Sequence, residues 1–324
     1  MSKTPLLSAV DLLKTFRVSG QSHSTRTLTA LDLVSLHLST GETLGIAGES
    51  GCGKSTLAKV MAGLLAPDGG SVLYNGTKLS QLRHNDKIIF RRKTQMIFQD
   101  PFSSLNPRMR VSDSISEPLK IAGIPTPLQR EEVSRIMAAV GLPNDAFNRF
   151  PDEFSGGQRQ RIGIARALAA YPDILIADEP VSSLDISIQA QIINILLKMK
   201  IDFKLSMMIV SHNLLVLRHI CDRIIIMYLG AIVECGPASE IFHHCRHPYT
   251  EALLASIPGL NRSSTPKVEL LRDDLPSALS IPSGCRFHTR CRHAVELCRH
   301  EVPTLVEYAN GHTAACHLSG RLYD

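Results

Sequence analysis

The sequence predicts an α/β fold, a sheet of short buried strands with helices packed on it, carrying a helical insertion and a cysteine-rich tail. Three observations point there. Gly48-Glu49-Ser50-Gly51-Cys52-Gly53-Lys54-Ser55, followed by Thr56, fits G-x-x-x-x-G-K-[ST]. It lies between an apolar run at 44–47 and residues 57–65, whose apolar positions recur at helical spacing, so the context is strand, loop, helix. A second apolar run, 174–177, ends in the adjacent acids Asp178 and Glu179. Third, the texture turns helical over residues 102–154, and Cys285, Cys291, Cys298 and Cys316 crowd the C-terminal end.

Bulk properties narrow the class. A chain of 324 residues buries a full core and divides into a large domain, 1–260, and a smaller region, 261–324. Lys and Arg number 35 against 30 Asp and Glu, a net +5 with no dense basic run, so nucleic acid is not an expected partner. The longest apolar stretches, 224–229 and 207–210, fall far short of a membrane span. The start, Met1-Ser2-Lys3-Thr4-Pro5, lacks the apolar segment of a signal peptide. A soluble, intracellular protein is expected. Its eight cysteines are then not a disulfide framework.

Taken in order, 6–16 and 28–38 read as strands around a polar loop at 19–27, and Phe16 is the only aromatic at this entry. It could stack on an adenine, although an isolated Phe at a strand end is more often core. After the phosphate loop come a turn at 67–70, a strand at 71–74 and the hairpin signal Asn75-Gly76. The basic stretch 84–93 precedes a short strand, 95–98, closed by Gln99, a polar side chain where α/β sheets place ligands. Within the insertion, 111–122 and 128–140 look helical. Ser155-Gly156-Gly157-Gln158 then opens a helix running to Ala170. The paired glycines suit an anion, a plain capped helix after a turn is an equal reading, and Ser155 serves as the cap either way. Beyond Asp178-Glu179 come Ser183-Leu184-Asp185, a helix at 186–199, a strand at 207–211 and His212.

These residue types fit phosphoryl chemistry. Glycines let backbone N–H groups turn toward phosphate oxygens, and the helix N-terminus adds its positive dipole end. Lys54 should reach the β- and γ-phosphates, and Ser55 should place its hydroxyl on Mg²⁺. Adjacent carboxylates at the tip of a buried strand are costly without a role. Asp178 can hold Mg²⁺ and Glu179 can polarise the attacking water, with His212 a candidate γ-phosphate contact.

As an ordered set, Phe16, Gly48 to Ser55, Gln99, Ser155 to Gln158, the strand ending in Asp178-Glu179, Ser183-Leu184-Asp185 and His212 resemble the ATP-binding cassette ATPases. The resemblance implies a P-loop NTPase core with an antiparallel β subdomain, a helical subdomain at about 102–157 and a small cysteine-rich C-terminal domain. It implies that two cassettes sandwich two ATP molecules head to tail, the phosphate loop of one facing Ser155 to Gln158 of the other. Asp185 joins the nucleotide-contacting set, Gln99 senses Mg²⁺ and the attacking water, and the insertion docks a membrane subunit. Departures are small: Phe16 stands where Tyr is commoner, Phe154 where Leu is usual, Asn213 where Asp follows the switch His, and Ser183 where Ala is frequent.

Tyr228-Leu229-Gly230 through Glu234, His247-Pro248-Tyr249-Thr250 and Ala252-Leu253-Leu254 resemble the dipeptide and oligopeptide importer branch. Membership there implies an ATPase on the cytoplasmic face of a bacterial inner membrane. Its partners would be a second ATPase subunit (a paralogue favoured over a homodimer), two transmembrane permease subunits and, indirectly, an extracytoplasmic substrate-binding protein. Glutathione, nickel or sugar as cargo, or a soluble repair or translation protein, are the alternatives. The tail spacing Cys285-x₅-Cys291-x₆-Cys298-x₁₇-Cys316 makes a metal possible without naming it. The resemblance tips the choice to a [4Fe–4S] cluster, with zinc as the alternative.

Overall fold

The computed structural model describes residues 5–19, 25–100, 104–182, 184–257, 276–309 and 311–323. Among the expected features, Ser183, residue 102 of the insertion and residues 261–275 of the smaller region lie outside them. Two long strands open the chain, β1 (Leu7–Ser19) and β2 (Thr25–Leu38), both longer than their apolar patterns suggest. Then come β3 (Thr43–Ala47), α1 (Lys54–Met61), β4 (Gly69–Tyr74) and β5 (Thr77–Lys78). The Asn75-Gly76 signal forms the expected hairpin, with both residues at positive φ. Strand order β2-β1-β4-β5 gives a four-stranded antiparallel sheet, matching the expected β subdomain.

The basic stretch at 84–93 is a helix, α2 (His84–Lys93), which buries only Phe90 and ends in Arg91, Arg92 and Lys93, favourable charges at a helix C-terminus. After β6 (Thr94–Ile97) the insertion contributes α3 (Val111–Ile121) and α4 (Thr126–Ala139), and α5 (Gly156–Leu168) follows it. These helices pack through Ile115, Leu119, Ile136 and Ile162, all fully buried and each worth about 1.5–3 kcal/mol. The chain continues through β7 (Ile174–Asp178), α6 (Ile186–Asp202), β8 (Ser206–Val210), α7 (Leu214–Ile220), β9 (Arg223–Tyr228) and β10 (Ala231–Pro237). It ends with α8 (Ala238–His243), α9 (Pro248–Ala255), α10 (Glu296–His300), β11 (Val306–Glu307), β12 (Thr313–Ala314) and α11 (Ser319–Leu322).

The second sheet is eight-stranded, in the order β11-β12-β10-β9-β3-β8-β7-β6. From β9 to β6 its pairings are parallel. β3, β7 and β8 are buried along their whole length, as a parallel sheet covered on both faces requires. The cysteine-rich tail, expected as a small domain, contributes its strands to this same sheet. β12 pairs with β10, Glu234 opposite Ala314 and Cys235 opposite Thr313, and β11 pairs outside it. His312 supplies the side-chain link: its Nε2 lies 2.7 Å from Glu234 Oε1, which also accepts the Arg246 N–H at 2.5 Å. Both side chains are almost wholly buried.

Removing one member of that pair leaves a buried carboxylate short of a partner. His312→Ala should therefore lower the unfolding free energy by about 3 kcal/mol, read as a lower urea midpoint. A midpoint equal to that of the wild type would show that the tail contact does not hold the sheet edge.

Candidate active site

Because β3, β8, β7 and β6 run parallel and adjacent, the turns after them lie along one edge, where doubly wound sheets bind ligands. The turn after β3 is the phosphate loop. Gly53 precedes α1 with φ +107°, and a Cβ there would sit 2.2 Å from the Ala30 carbonyl oxygen, so only glycine fits. Lys54 is buried, and its Nζ donates to the carbonyls of Gly48 and Glu49, both at 2.8 Å. The Glu49 N–H donates to the Tyr249 hydroxyl at 2.9 Å, and the Gly230 N–H to the Cys52 carbonyl at 2.9 Å. The loop is thus fixed from behind by residues far away in the sequence. Burial pushes the Cys52 thiol up, with the Lys54 charge opposing, so Cys52 is a packing residue of the loop.

One strand further, β7 delivers Asp178, whose Oδ1 accepts the Ser55 hydroxyl at 2.9 Å. Burial raises the Asp178 carboxyl, Ser55 works against that, and the Glu179 charge adds to it. A hydroxyl and a buried carboxylate converging at hydrogen-bond distance are an all-oxygen donor set that suits Mg²⁺. Glu179 follows at φ +46°, a left-handed conformation uncommon for a residue with a side chain, and its N–H donates to the Val210 carbonyl at 2.9 Å. Its Oε2 lies 3.1 Å from His212 Nδ1 and 3.4 Å from Gln99 Nε2. The ends of β6, β7 and β8 therefore meet on one carboxylate.

The structure separates the remaining expected residues from this cluster. Ser155 caps α5, its hydroxyl accepting the Gln158 N–H at 3.4 Å while Gln158 Oε1 accepts the Ser155 N–H at 3.0 Å. A Cβ on Gly157 would meet Ile188 Cγ2 at 2.5 Å, so this segment packs against the start of α6. Asp185 caps α6: its Oδ1 accepts the Ser187 hydroxyl at 2.7 Å and the Ile188 N–H at 3.0 Å, and these bonds hold its carboxyl below the usual range. Phe16 is part-exposed on β1 opposite Leu28, two residues before Ala30, whose carbonyl abuts Gly53.

The four tail cysteines are unbridged thiols, and Cys291 feels the other three electrostatically. Burial lifts Cys285 and Cys291 to about 11. Among the described residues, however, no three His, Cys, Asp or Glu side chains are grouped to hold a metal ion. The expected iron–sulfur or zinc site does not find its ligand geometry here. Among the same residues no helix is long and apolar enough to cross a membrane. The clearest omission from the sequence reading is Tyr249, noted there only within a family motif. No local pattern could have shown that its hydroxyl meets Glu49.

Residues 31–182 match the family described as ABC transporter, and residues 233–298 match the Oligopeptide/dipeptide transporter, C-terminal region. Oligopeptide transport ATP-binding protein AppF of Bacillus subtilis is 47% identical over 293 residues, 89% of this chain and 89% of that protein. The chain belongs to the ABC transporter family. This ABC protein is an ATPase, and its fold is that of solved cassettes. The ATP-binding cassette MJ0796, solved as a dimer in a post-hydrolysis state with ADP and Pi, matches with a TM-score of 0.64 and 28% identity. That match covers 72% of this chain and 98% of MJ0796. A second structure, cbiO1 from Clostridium perfringens, shares the fold at a TM-score of 0.62 and 24% identity, over 74% of this chain and 91% of its own.

Asp178 yields a pH prediction. With its carboxyl raised by burial, the native state holds that proton more tightly than the unfolded chain does. Charge at Asp178 then opposes folding above the raised value, and this opposition fades as pH falls through it toward the ordinary carboxylate range. Asp178→Asn should stabilise the protein by about 1 kcal/mol at pH 7. The gain should vanish near pH 4, as measured by urea unfolding at both values. A variant less stable than the wild type at pH 7 would contradict this.

Proposed function

We propose that this chain is the ATP-hydrolysing subunit of an importer for dipeptides or oligopeptides, working at the cytoplasmic face of a bacterial inner membrane. The observation that carries this is the meeting of Lys54, Ser55, Asp178, Glu179, Gln99 and His212 at one edge of the parallel sheet. The name of AppF and the match to the importer C-terminal region support the cargo class. In this reading residues 1–260 form the cassette and 261–324 its C-terminal extension.

The residues divide the work as follows. Amides of the loop from Gly48 to Thr56 cradle the phosphates, Lys54 meets the β- and γ-phosphate charge, and Phe16 stacks on the adenine. Ser55 and Asp178, with Gln99, would hold Mg²⁺, which supplies charge neutralisation at the transferred phosphoryl group. Glu179 accepts the proton of the attacking water, oriented by His212 and Gln99 through the bonds that converge on its Oε2. Ser155, Gly156, Gly157 and Gln158, with Asp185, complete the pocket of a second cassette, favoured here as a paralogue.

Beside Gln99 a cavity of about 710 Å³ opens between α2 and α3, lined by Ile88, Ile89, Phe98, Glu117 and Ile121. The four apolar side chains there are exposed, and this groove is the seat proposed for a helix of a permease subunit. The external binding protein would act through those membrane subunits. The reading assigns no iron–sulfur cluster or zinc to Cys285, Cys291, Cys298 and Cys316, because the geometry does not support one.

Two substitutions test the chemistry in the complex reassembled with its membrane subunits. Glu179→Gln should retain ATP binding while peptide-stimulated hydrolysis falls at least about 100-fold. Near-normal turnover would remove the base assignment. Lys54→Ala should lose nucleotide binding itself, measured by calorimetry with MgATP, and unchanged affinity would refute the role of the loop.

A further inference from the structure

Between Cys285 and Cys291 the tail places three side chains behind the phosphate loop. Arg286 donates to the Leu229 carbonyl and to Asp32, the residues on either side of the Gly230 contact that supports Cys52. Phe287 is buried edge-on against Tyr228, with ring centroids 5.3 Å apart, and lies 5.4 Å from Tyr249. Arg290 reaches the loop itself. Its two terminal nitrogens donate to the two carboxylate oxygens of Glu49, at 2.7 and 3.0 Å, and one of them also lies 3.4 Å from the Tyr228 hydroxyl. The Arg290 side chain is only 4% exposed, against 26% for Glu49.

Glu49 is thus held at three points. Its N–H is held by Tyr249, its carbonyl by Lys54 and its carboxylate by Arg290. It also raises an electrostatic difficulty. A carboxylate in a loop built to hold a polyanion repels that polyanion unless a cation is fixed beside it. Arg290, separated from Glu49 by 241 residues, is that cation, and its planar fork fits the carboxylate in a way that a Lys ammonium could not.

We propose that Arg290 is a positioning residue for ATP binding: by neutralising and fixing Glu49 it makes the phosphate loop attractive to nucleotide, so the C-terminal segment sets the ATP affinity of the cassette. The proposal rests on the reading of the loop as the ATP site. It assigns the Cys285–Cys291 segment a task in this chain that needs no metal.

The test uses the full chain and MgATP. Arg290→Ala should weaken MgATP binding about tenfold, because the Glu49 charge is then left unopposed beside the phosphates. Removing that charge as well should restore affinity, so Glu49→Gln combined with Arg290→Ala should bind within about threefold of the wild type. In the assembled transporter the KM for ATP should rise in Arg290→Ala by more than kcat falls. If Arg290→Ala fails to fold by circular dichroism, Arg290→Gln keeps much of the side chain and reads the same loss of charge. Wild-type affinity in the single variant would overturn the proposal. So would a double variant no better than the single one, since a purely packing role for Arg290 is not repaired at Glu49. A wild-type chain that binds no MgATP, with Lys54→Ala no different, overturns the nucleotide reading and this proposal with it.

Discussion

Parallel pairing of β3, β8, β7 and β6 is the constraint on which the site depends. Ile46 lies opposite Val210, Asp178 opposite the same Val210, and Ile97 opposite Ala177, so the strands finish together. Each following turn then delivers its polar group to a common edge: Lys54 and Ser55, His212, Asp178 and Glu179, Gln99. Successive side chains of a strand point to opposite faces, and a slip of one residue in β7 would send Asp178 to the other face, away from Ser55. The apolar residues of these strands resist such a slip, because it would exchange every neighbour in a fully buried layer.

The same edge is where the structure accepts unfavourable terms. Asp178 is a buried carboxyl raised by desolvation, and Glu179 holds a left-handed backbone conformation that costs on the order of 1–3 kcal/mol. Both sit at the end of a strand whose other members are buried hydrocarbon, so the packing of Ile174, Leu175 and Ile176 offsets what the acids cost. The Glu179 N–H is satisfied by the Val210 carbonyl, and the turn is closed by Ser182, whose N–H and hydroxyl both reach the Glu179 carbonyl. Strain concentrated at one residue whose own N–H and carbonyl are both paired aims a side chain. Here it aims Glu179 at His212 and Gln99.

How much of this the chain displayed in advance follows from how local each signal is. Strands buried on both faces read as unbroken apolar runs, so β3, β7 and β8 were visible as 44–47, 174–177 and 207–211, and the glycine pattern between β3 and α1 marked the phosphate loop. α2 was not visible as a helix, because ten residues with one buried side chain, Phe90, carry no apolar stripe. The tail strands were invisible for another reason. A two-residue strand cannot show alternation, and β12 is held by pairing with β10 on one side and β11 on the other. At Ser155 to Gln158, spacing left an anion site and a capped helix equally open. The structure shows the cap, which both readings require, and a Cβ on Gly157 would crowd Ile188.

A loop that binds phosphate must be rigid enough for its amides to stay aimed, yet its own glycines make its backbone permissive. Local sequence supplies only part of the rigidity, through α1 and through the Lys54 ammonium bridging two loop carbonyls. The rest comes from residues that sequence order places far away: the β9–β10 turn at Gly230, the Tyr249 hydroxyl on α9 and the Arg290 guanidinium of the tail. Those supports are themselves bound together, since Tyr228 packs edge to face with both Tyr249 and Phe287, which are tilted against each other, in one aromatic cluster. The tail is therefore continuous with the catalytic core in the physical sense that matters. It covers the β10 edge and packs into the wall behind the loop.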